Sequence, residues 1–585
     1  MRKIYLYFIA AIATIGAIES VSAQDYDRNV TVETEFQPII QDAGKVNIKP
    51  HVQSTTIQPI TVTYSEFSNE VNPTFTPSAL HTQAIHFTQP DALNGRLRAG
   101  VGHINSEVLF EYTLVDKKKN RLHINADHRG GWGTKTLVDT KLGVDFSHDF
   151  KNGDMFYLNA FGLNQFYTRY GCYFLPEHND LGVNRMSQME DITKQNIWQG
   201  GIRLGYRSNL KQDLTYNVSL AYDALNMPTI ATEHHAKADL HIQWKRDEHS
   251  VGSKVNFQGN FYQMNPEYSE LLHNNRYNIR VEPFYEYTID RFLLHVGMNI
   301  DLNYGKGTQF SKVDKLAFAP SPNVRFEAQL APKWAILYGQ ATGRFARGNS
   351  EEFIAGNRYR DLTRSLTSLH TSGYTPIDAE LGFRFRPEKN LFLEIHGGYS
   401  MQKNKTASIF VPYSPSLDYV YLNYNSGKIG AAISYHYQDI VTIHAWGDYL
   451  LTQNPEVENK SSLHKLNLSS ITQRAYDCPT WKVGLDIDAR IDCHWTLYSH
   501  NRFHGGAWAL VAPIDILYGH ITRMSEKYEK QLAPYIDLNI GCQYEFNNRL
   551  ALYLDLMNLI NRKNEIYYGY QTVGINFLVG VNWRF

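Results

Sequence analysis

The sequence contains no arrangement of residues that is typical of a catalytic site. It lacks a phosphate-binding loop, a His-Glu-x-x-His pair, a CxxC pair and a Gly-x-Ser-x-Gly nucleophile turn. Each of these motifs holds a nucleophile, a base or metal ligands at a fixed spacing, which scattered residues of the same types do not provide. We therefore predict that the chain is not an enzyme and has no catalytic residues and no cofactor.

Histidine is the side chain best suited to binding a transition metal, and the chain has 23 histidines. Most of them are scattered along the sequence. Glu233, His234 and His235 adjoin one another in a predicted outer loop, and His500 and His504 share one face near the end of a predicted strand. Solvated histidines in loops are far commoner than metal ligands, so we predict no metal site.

Charged residues recur at every second position in several segments, which places them on one face of a strand. In a membrane barrel this face lines the lumen, because a charge facing lipid at the bilayer midplane costs ~2–4 kcal/mol. Two interpretations remain open, namely ion pairs along the wall and a ring of charges that selects a solute. The residues concerned are Arg325, Glu327, Arg384, Arg386, Asp486, Asp488 and Arg490.

The last fifteen residues, Gln571 to Phe585, show the clearest alternation of apolar and polar side chains, and only Leu578 breaks it. Successive side chains of a strand point to opposite faces, so this segment is a predicted strand with one apolar face. A soluble sandwich and an outer-membrane barrel both contain such strands. The apolar face consists of Val573, Ile575, Phe577, Val579, Val581, Trp583 and Phe585.

The arrangement of turns decides between these two folds. From Arg96 to Phe585 alternating segments are joined in turn by short polar turns and by long polar loops, as in outer-membrane barrels. We predict an all-β fold, a large antiparallel transmembrane barrel of 18 to 22 strands, with 22 as the best estimate. Asp418 to Asn425 could belong to a strand or to a loop.

Composition and the N-terminus agree with an exported membrane barrel. Residues 1–23 have the basic start, apolar run and small-residue cleavage site of a signal peptide. The 39 Tyr suit membrane interfaces, and a net charge of -1 gives no basic surface for nucleic acid. We predict an outer-membrane location with lipid as the surroundings. Cys172 and Cys478 both fall in predicted outer loops, so pairing between them remains open.

Residues 24–95 differ from the rest of the chain. They contain many Thr and Gln and six prolines, which remove donors from any strand ladder. We predict an extended segment that fills the lumen or docks a partner. The prolines are Pro38, Pro50, Pro59, Pro73, Pro77 and Pro90.

Over Arg96 to Phe585 the chain resembles the barrel of TonB-dependent receptors, the 22-stranded transporter family of the outer membrane. Its last strand resembles the C-terminal signal read by the barrel-assembly machinery, through Phe577, Val579, Val581, Trp583 and Phe585. Val30, Thr31, Val32 and Glu33 are similar to the short box that contacts TonB, although an ordinary linker is the simpler interpretation. The family's globular plug exceeds residues 24–95 in length, so the resemblance implies a reduced or missing plug.

Two functions are compatible with these observations. The first is a receptor-like or porin-like barrel that admits or transports a solute, with TonB as a partner if transport is energised. The alternative is a structural or accessory barrel that scaffolds an outer-membrane complex, with accessory lipoproteins among its partners. The sequence does not identify the solute.

Overall fold

The computed structural model describes most of the chain from residue 94 onward. The predicted signal peptide, nearly all of the 24–95 segment and the box at Val30 to Glu33 lie outside the described residues. Described are residues 94–116, 119–133, 135–171, 194–228, 230–265, 275–305, 315–331, 334–346, 349–360, 362, 373–410, 416–438, 440–458, 474–511, 514–517, 520–524 and 528–585.

The described chain is almost entirely β-structure, and its strands alternate apolar and polar residues as the sequence predicts. The first ten strands are β1 (Gly95–Gly102), β2 (Asn105–Asp116), β3 (Asn120–Gly131), β4 (Leu137–Asp149), β5 (Met155–Thr168), β6 (Lys194–Arg207), β7 (Leu214–Met227), β8 (Ala231–Arg246), β9 (His249–Met264) and β10 (Arg276–Ile289). The next nine are β11 (Phe292–Gly305), β12 (Lys315–Ala331), β13 (Ala335–Phe345), β14 (Tyr374–Glu388), β15 (Leu391–Phe410), β16 (Asp418–Tyr437), β17 (Val441–Glu458), β18 (Trp481–Arg490) and β19 (Trp495–Gly505).

The remaining strands either complete the barrel or lie in its loops. They are β20 (Trp508–Val511), β21 (Ile514–Leu517), β22 (His520–Met524), β23 (Tyr528–Gln531), β24 (Tyr535–Asp537), β25 (Ile540–Glu545), β26 (Leu550–Met557), β27 (Glu565–Tyr567), β28 (Tyr570–Gln571) and β29 (Asn576–Arg584). A short helix, α1 (Ser350–Gly356), lies between β13 and β14.

Twenty-two strands form one closed antiparallel barrel, which confirms the predicted fold and the best estimate of the strand number. Strands β1 to β19 pair in sequence order, β24 and β25 together form the next strand, and β26 and β29 follow. Pairing of β29 with β1 closes the ring. The open question about Asp418 to Asn425 is also resolved, since these residues form the first part of β16.

The C-terminal strand begins later than predicted. Strand β29 starts at Asn576, whereas Gln571 belongs to β28, and Val573 and Ile575 lie in the connection between the two. Within β29, Phe577, Val579, Val581 and Trp583 face outward and are exposed, as predicted. Leu578, which breaks the alternation, faces inward and is only 4% exposed.

The closing seam is held by reciprocal backbone hydrogen bonds between the two ends of the barrel. The Phe585 N–H donates to the Gly95 carbonyl at 2.9 Å, and the Gly95 N–H donates to the Phe585 carbonyl at 2.8 Å. The Phe585 ring packs on Trp583 with centroids 4.6 Å apart and covers Gly95 so closely that a Cβ there would lie 2.4 Å from the ring. The aromatic C-terminus therefore packs across the seam.

The barrel has an apolar outer face and a polar inner face. In strands β10 and β11 the paired Ile279 and Leu302 point outward, while the next pair, Arg280 and Asp301, points inward and forms an ion pair of 2.7 Å. This alternation is the arrangement that meets lipid outside and water inside. Among the described residues no helix has the length and apolar composition to cross a bilayer.

Aromatic side chains mark both edges of the apolar band. Trp481, at the first residue of β18, is paired with Tyr449 in the middle of β17, and Trp495 and Tyr544 pack together near the other end of β18. Strand β18 between these levels has ten residues, which matches the length that a tilted strand needs to cross a membrane. The positions of these rings are those of interfacial aromatic belts.

The two ends of the barrel differ as the sequence predicts. Short turns such as residues 247–248, 290–291 and 389–390 join strands at one end, and long connections such as residues 346–373 and 506–534 lie at the other. In outer-membrane barrels the short turns are periplasmic and the long loops extracellular. We refer to the long-loop end as the mouth of the barrel.

Candidate functional site

The inner wall carries ion pairs that join neighbouring strands. Near the seam the Arg98 guanidinium donates to Glu107 at 2.6 Å and to Asp555 at 2.8 Å, and it lies 3.8 Å from the centre of the Tyr553 ring. The Tyr498 hydroxyl also donates to Asp555. One cationic side chain thus links strands β1, β2 and β26 on the lumen side.

The charged residues that the sequence singles out lie on strands β12, β14 and β18, with separate partners rather than at one site. Asp486 accepts two hydrogen bonds from Arg502, at 2.6 and 3.1 Å, and lies 3.1 Å from His500. Arg384 donates to Glu394 at 3.1 Å. These contacts favour the interpretation that Asp486 and Arg384 form ion pairs along the wall.

The other members of that set have different surroundings. In the strand register Arg325 lies opposite His295, Glu327 opposite Tyr338, and Asp488 opposite Tyr498. The remaining two arginines sit at the short-turn end and donate to backbone carbonyls there. Arg386 bonds to the Lys389 carbonyl at 2.7 Å, and Arg490 bonds to the Asp492 carbonyl at 3.2 Å.

The adjacent His234 and His235 do not lie in the outer loop that the sequence predicts. Glu233, His234 and His235 belong to strand β8, where His235 is fully buried between Asp223 and Glu233, with its nitrogens 2.5 and 3.2 Å from their carboxylates. His234 faces the other way. The second pair is also divided, because His500 contacts Asp486 whereas His504 stacks on Tyr535 at 4.4 Å.

Asp223, His235 and Glu351 are close enough together to hold a metal ion in the described part of the chain. The existing contacts already use both oxygens of Asp223, one with Lys237 at 2.8 Å and the other with His235. A lysine ammonium beside the carboxylate competes with any cation there. The arrangement is therefore better suited to an internal ion-pair network than to metal binding.

A segment of the β13–β14 connection crosses the mouth, and we call residues 349–360 the mouth strap. Its helix α1 is capped by Asn349, whose side chain accepts a hydrogen bond from the Glu352 N–H at 3.0 Å. Two glutamates in the first turn suit the positive end of the helix dipole. The sequence Asn-Ser-Glu-Glu followed by Phe-Ile is a helix-start signal, although the polar composition of the region predicts a loop.

Polar contacts fasten the mouth strap to three separate parts of the wall. The Ser350 N–H donates to Glu233 of β8 at 2.9 Å, and Arg358 donates to Asp139 of β4 at 3.3 Å. On β15, Arg360 donates to the Ser408 hydroxyl and to the Thr406 carbonyl, both at 3.1 Å. Contacts to β4, β8 and β15 require the strap to span the opening of the barrel.

Arg360 is a charged anchor that is almost completely buried, with 5% of its surface exposed. Its guanidinium lies 3.6 Å from the Asp477 carboxylate, and the Asp477 carboxylate also accepts from the Ser408 N–H at 2.6 Å. Burial lowers the pKa of Arg360, and the attraction of Asp477 opposes that shift. Burial likewise raises the pKa of Asp477, against the attraction of Arg360. A buried pair of this kind is destabilised strongly when one partner is removed.

Apolar contacts also hold this segment in the mouth. Ile354 and Leu362 pack in one buried cluster with Tyr167, Ile197 and Leu225. Tyr359 stacks on Tyr570 with ring centroids 4.1 Å apart, and the Tyr359 carbonyl accepts from the Leu417 N–H at 3.0 Å. Burial raises the pKa of Tyr359, so its hydroxyl stays protonated. The strap is therefore packed into the mouth rather than extended into solvent.

Below the strap, the wall of β6 to β11 forms a small polar recess of about 110 Å³. Two ion pairs flank it, Arg280 with Asp301 at 2.7 Å and Arg203 with Asp239 at 4.0 Å. Asn256 adds an amide that donates to Asp239 at 2.6 Å. Side chains of both charges, with hydrogen-bond donors and acceptors, therefore line the lumen at this level.

Comparisons with known proteins identify the fold. No protein-family model and no curated protein sequence matches the chain. The FrpB iron transporter from Neisseria meningitidis matches with a TM-score of 0.63 at 10% identity, over 85% of this chain and 82% of the transporter. The copper transporter OprC matches with a TM-score of 0.60 at 12% identity, over 84% and 81%. The ferric-catecholate import receptor Fiu from E. coli K12 matches with a TM-score of 0.58 at 12% identity, over 85% and 82%.

At these identities the likeness establishes the fold. The predicted resemblance to the barrel of TonB-dependent receptors is confirmed at that level, and so is the predicted outer-membrane location of a closed barrel with an apolar outer face. The matched proteins are transporters and receptors. The assembly role of the last strand remains a prediction. The likeness of Val30 to Glu33 to a TonB-contacting box, for which an ordinary linker is the simpler interpretation, is untested.

Proposed function

We propose that this protein admits or transports a solute across the outer membrane and that the mouth strap controls access to its lumen. The observation that carries the proposal is the strap itself, which is fastened to β4, β8 and β15 across the opening of a wide barrel. Barrels of 22 strands enclose a lumen that must be obstructed if the membrane is to remain a barrier.

The inner wall supports the passage of a polar solute. Its charges are mostly paired between strands, as in Arg98 with Asp555 and Arg280 with Asp301, so neither sign of charge dominates these contacts. The named transporters of similar fold carry iron, copper or ferric catecholates. By analogy with these transporters, we expect this chain to import a solute through its lumen. The identity of the solute is not proposed.

Energised transport is a finer proposal that rests on the sequence. Contact of Val30, Thr31, Val32 and Glu33 with TonB, and a reduced plug formed by residues 24–95, both fall outside the described residues. The absence of enzyme activity also remains a prediction, although the proteins of similar fold are named as transporters or receptors.

Locking and releasing the strap tests the proposal. The Asn357 amide donates to the Ser408 hydroxyl at 2.8 Å, so the double variant Asn357→Cys/Ser408→Cys can join strap and wall by a disulfide. The release variant is Arg358→Ala/Arg360→Ala. We expect release to raise the sensitivity of cells to large antibiotics that the outer membrane excludes, and the oxidised lock to lower it below that of the unaltered chain until a reductant is added.

A suitable control is Lys389→Ala/Arg549→Ala, which removes two cations at the short-turn end. Equal antibiotic sensitivity of released, locked and control cells, with a purified barrel that is electrically silent and co-purifies with other proteins, would contradict the proposal. That result would favour the scaffold function instead.

A further inference from the structure

A second cavity lies at the rim of the barrel, at its mouth end. It has a volume of about 840 Å³ and is formed where the tops of β17 to β19 meet the hairpin of β20 and β23. We call it the rim groove. Its lining includes Tyr449, Arg474, Trp481, Trp508, Lys530 and Glu565. A cavity of this size is in the range that binds small ligands.

The level of the rim groove follows from the strands beneath it. Tyr449 and Trp481 are paired in the part of the apolar band nearest the mouth, and Tyr449 is 46% exposed on the outer face. Trp481 also faces outward, because it lies two residues before the exposed Val483 on β18 and so shares its strand face. Its ring covers Gly505 of the neighbouring strand β19. The groove therefore opens toward lipid just above the aromatic belt, at the level of the head groups of the outer leaflet.

Two exposed cations in the groove are supported by aromatic rings. The Arg474 guanidinium lies 3.7 Å from the centre of the Trp508 ring, and the Lys530 ammonium lies 4.5 Å from that of Tyr568. Such contacts hold the charged end of a long side chain in place while leaving its hydrogen-bond donors accessible. Phosphate oxygens are the acceptors that these donors prefer.

The groove also contains hydrogen-bond acceptors. Glu565 lines it, together with Gln531 and Thr480, and the Glu529 carboxylate lies 3.7 Å from the Arg474 guanidinium. A bare phosphate gains nothing from carboxylates nearby. A phosphorylated sugar offers hydroxyl donors to the carboxylates, phosphate to the cations and a C–H face to tryptophan, so it matches the whole lining.

We propose that the rim groove binds the phosphorylated sugar head group of a lipid in the outer leaflet. The position at head-group level favours a lipid over a soluble sugar phosphate, because the acyl chains of a bound lipid then lie along the exposed outer face beneath Tyr449 and Trp481. The lining shares no residue with the ion pairs of the inner wall, and the inference does not depend on the solute-transport function.

Native mass spectrometry of the full chain in detergent tests this inference, with diphosphoryl lipid A as the probe. We expect the unaltered protein to retain the lipid and the variant Arg474→Ala/Lys530→Ala to lose it by about tenfold or more, since each cation near a membrane surface contributes about 1 kcal/mol to binding an anionic lipid. Trp508→Leu should weaken retention as well, because it removes the support of Arg474.

Lys211→Ala/Arg549→Ala is the matched control, since it removes two exposed cations from short turns at the opposite end of the barrel. This control should retain the lipid fully. Equal retention by the rim variant and the control would overturn the proposal. Glucose 1-phosphate provides a second arm, and binding of this soluble compound as tight as that of lipid A would assign the groove to free sugar phosphates. Unchanged heat-dependent gel migration of every variant verifies that the barrel is folded.

Discussion

Aromatic side chains of the inner wall pack against glycines on neighbouring strands. Trp446 lies against Gly484, Tyr338 against Gly382 and Tyr553 against Gly580. Glycine leaves space that the ring fills, and the ring in turn covers the exposed backbone, which is a recurrent device in curved sheets. The sequence predicts which residues alternate on each strand, but the pairing of a ring with a particular glycine depends on the strand register, which the alternation alone leaves open.

This packing predicts that two chemically identical substitutions will differ in effect. A Cβ at Gly484 would lie 2.3 Å from Trp446 Nε1, whereas a Cβ at Gly427 would meet no atom nearer than 4.0 Å. We expect Gly484→Ala to destabilise the barrel by about 1–3 kcal/mol through overpacking, and Gly427→Ala to leave it unchanged or slightly more stable. The measurement is the urea midpoint of unfolding in lipid vesicles, and equal midpoints for the two variants would contradict the expectation.

The elements of this protein differ in how far their sequences determine them. Barrel strands such as β10 and β11 are predicted correctly because the alternation and the short turn between them are local features. The mouth strap is missed because its contacts with Asp139, Glu233 and Ser408 come from distant parts of the chain. Ser350, which a polar loop would expose, is fully buried.

The start of the last strand shows a local pattern overridden by side-chain hydrogen bonds. Val573 and Ile575 continue the alternation of β29, yet the Asn558 amide donates to the Val573 carbonyl at 2.8 Å, and Asn561 accepts from the Ile575 N–H at 2.9 Å. Both asparagines have positive φ, at 52° and 55°. Their side chains thus take the backbone groups that a strand partner would otherwise use.

At the scale of the strap, its anchors should differ in strength. Arg360 is buried beside Asp477, whereas the Arg358 pair with Asp139 is partly exposed, with side-chain exposures of 29% and 25%. Removing Arg360 leaves Asp477 uncompensated, which costs about 3–5 kcal/mol in buried pairs, while a more exposed pair contributes about 0–1 kcal/mol. Hydrogen exchange of the α1 amides should therefore accelerate strongly in Arg360→Ala and only slightly in Arg358→Ala. Similar exchange rates in the two variants would show that apolar packing alone holds the strap.

The whole molecule depends on a single closing contact between its first and last barrel strands. Strands β1 and β29 pair over seven residues, from Arg96 with Arg584 to Gly102 with Leu578. Every other barrel strand pairs with neighbours that are close in sequence, so its partner is available as soon as it is synthesised. The β1 and β29 edges find each other only after the entire chain has been made, and until then they are open edges that other strands can pair with.

This order of events gives the aromatic C-terminus a structural role beside its predicted role as an assembly signal. Phe585 exchanges both backbone hydrogen bonds with Gly95, and its ring packs near Phe110 and Tyr112 as well as Trp583. Phe585→Ala should keep the backbone bonds but lose the ring, and deletion of Trp583 to Phe585 should lose both. We expect the substitution to reduce the amount of folded barrel in the membrane partially and the deletion to reduce it severely.

The level of heat-modifiable barrel in isolated outer membranes measures this effect. Phe150→Ala is a matched control, because Phe150 is 43% exposed at the short turn between β4 and β5 and lies away from the seam. Unchanged barrel levels in the deletion variant would show that assembly requires neither the C-terminal signal nor the contacts of these residues at the seam. A deletion that is defective in cells but folds normally from urea into lipid vesicles would assign the defect to the signal, since vesicles contain no assembly machinery. Failure in both settings would assign the defect to the lost strand contacts of β29, with β1 across the seam and with β26 through Leu550, because both settings require these contacts.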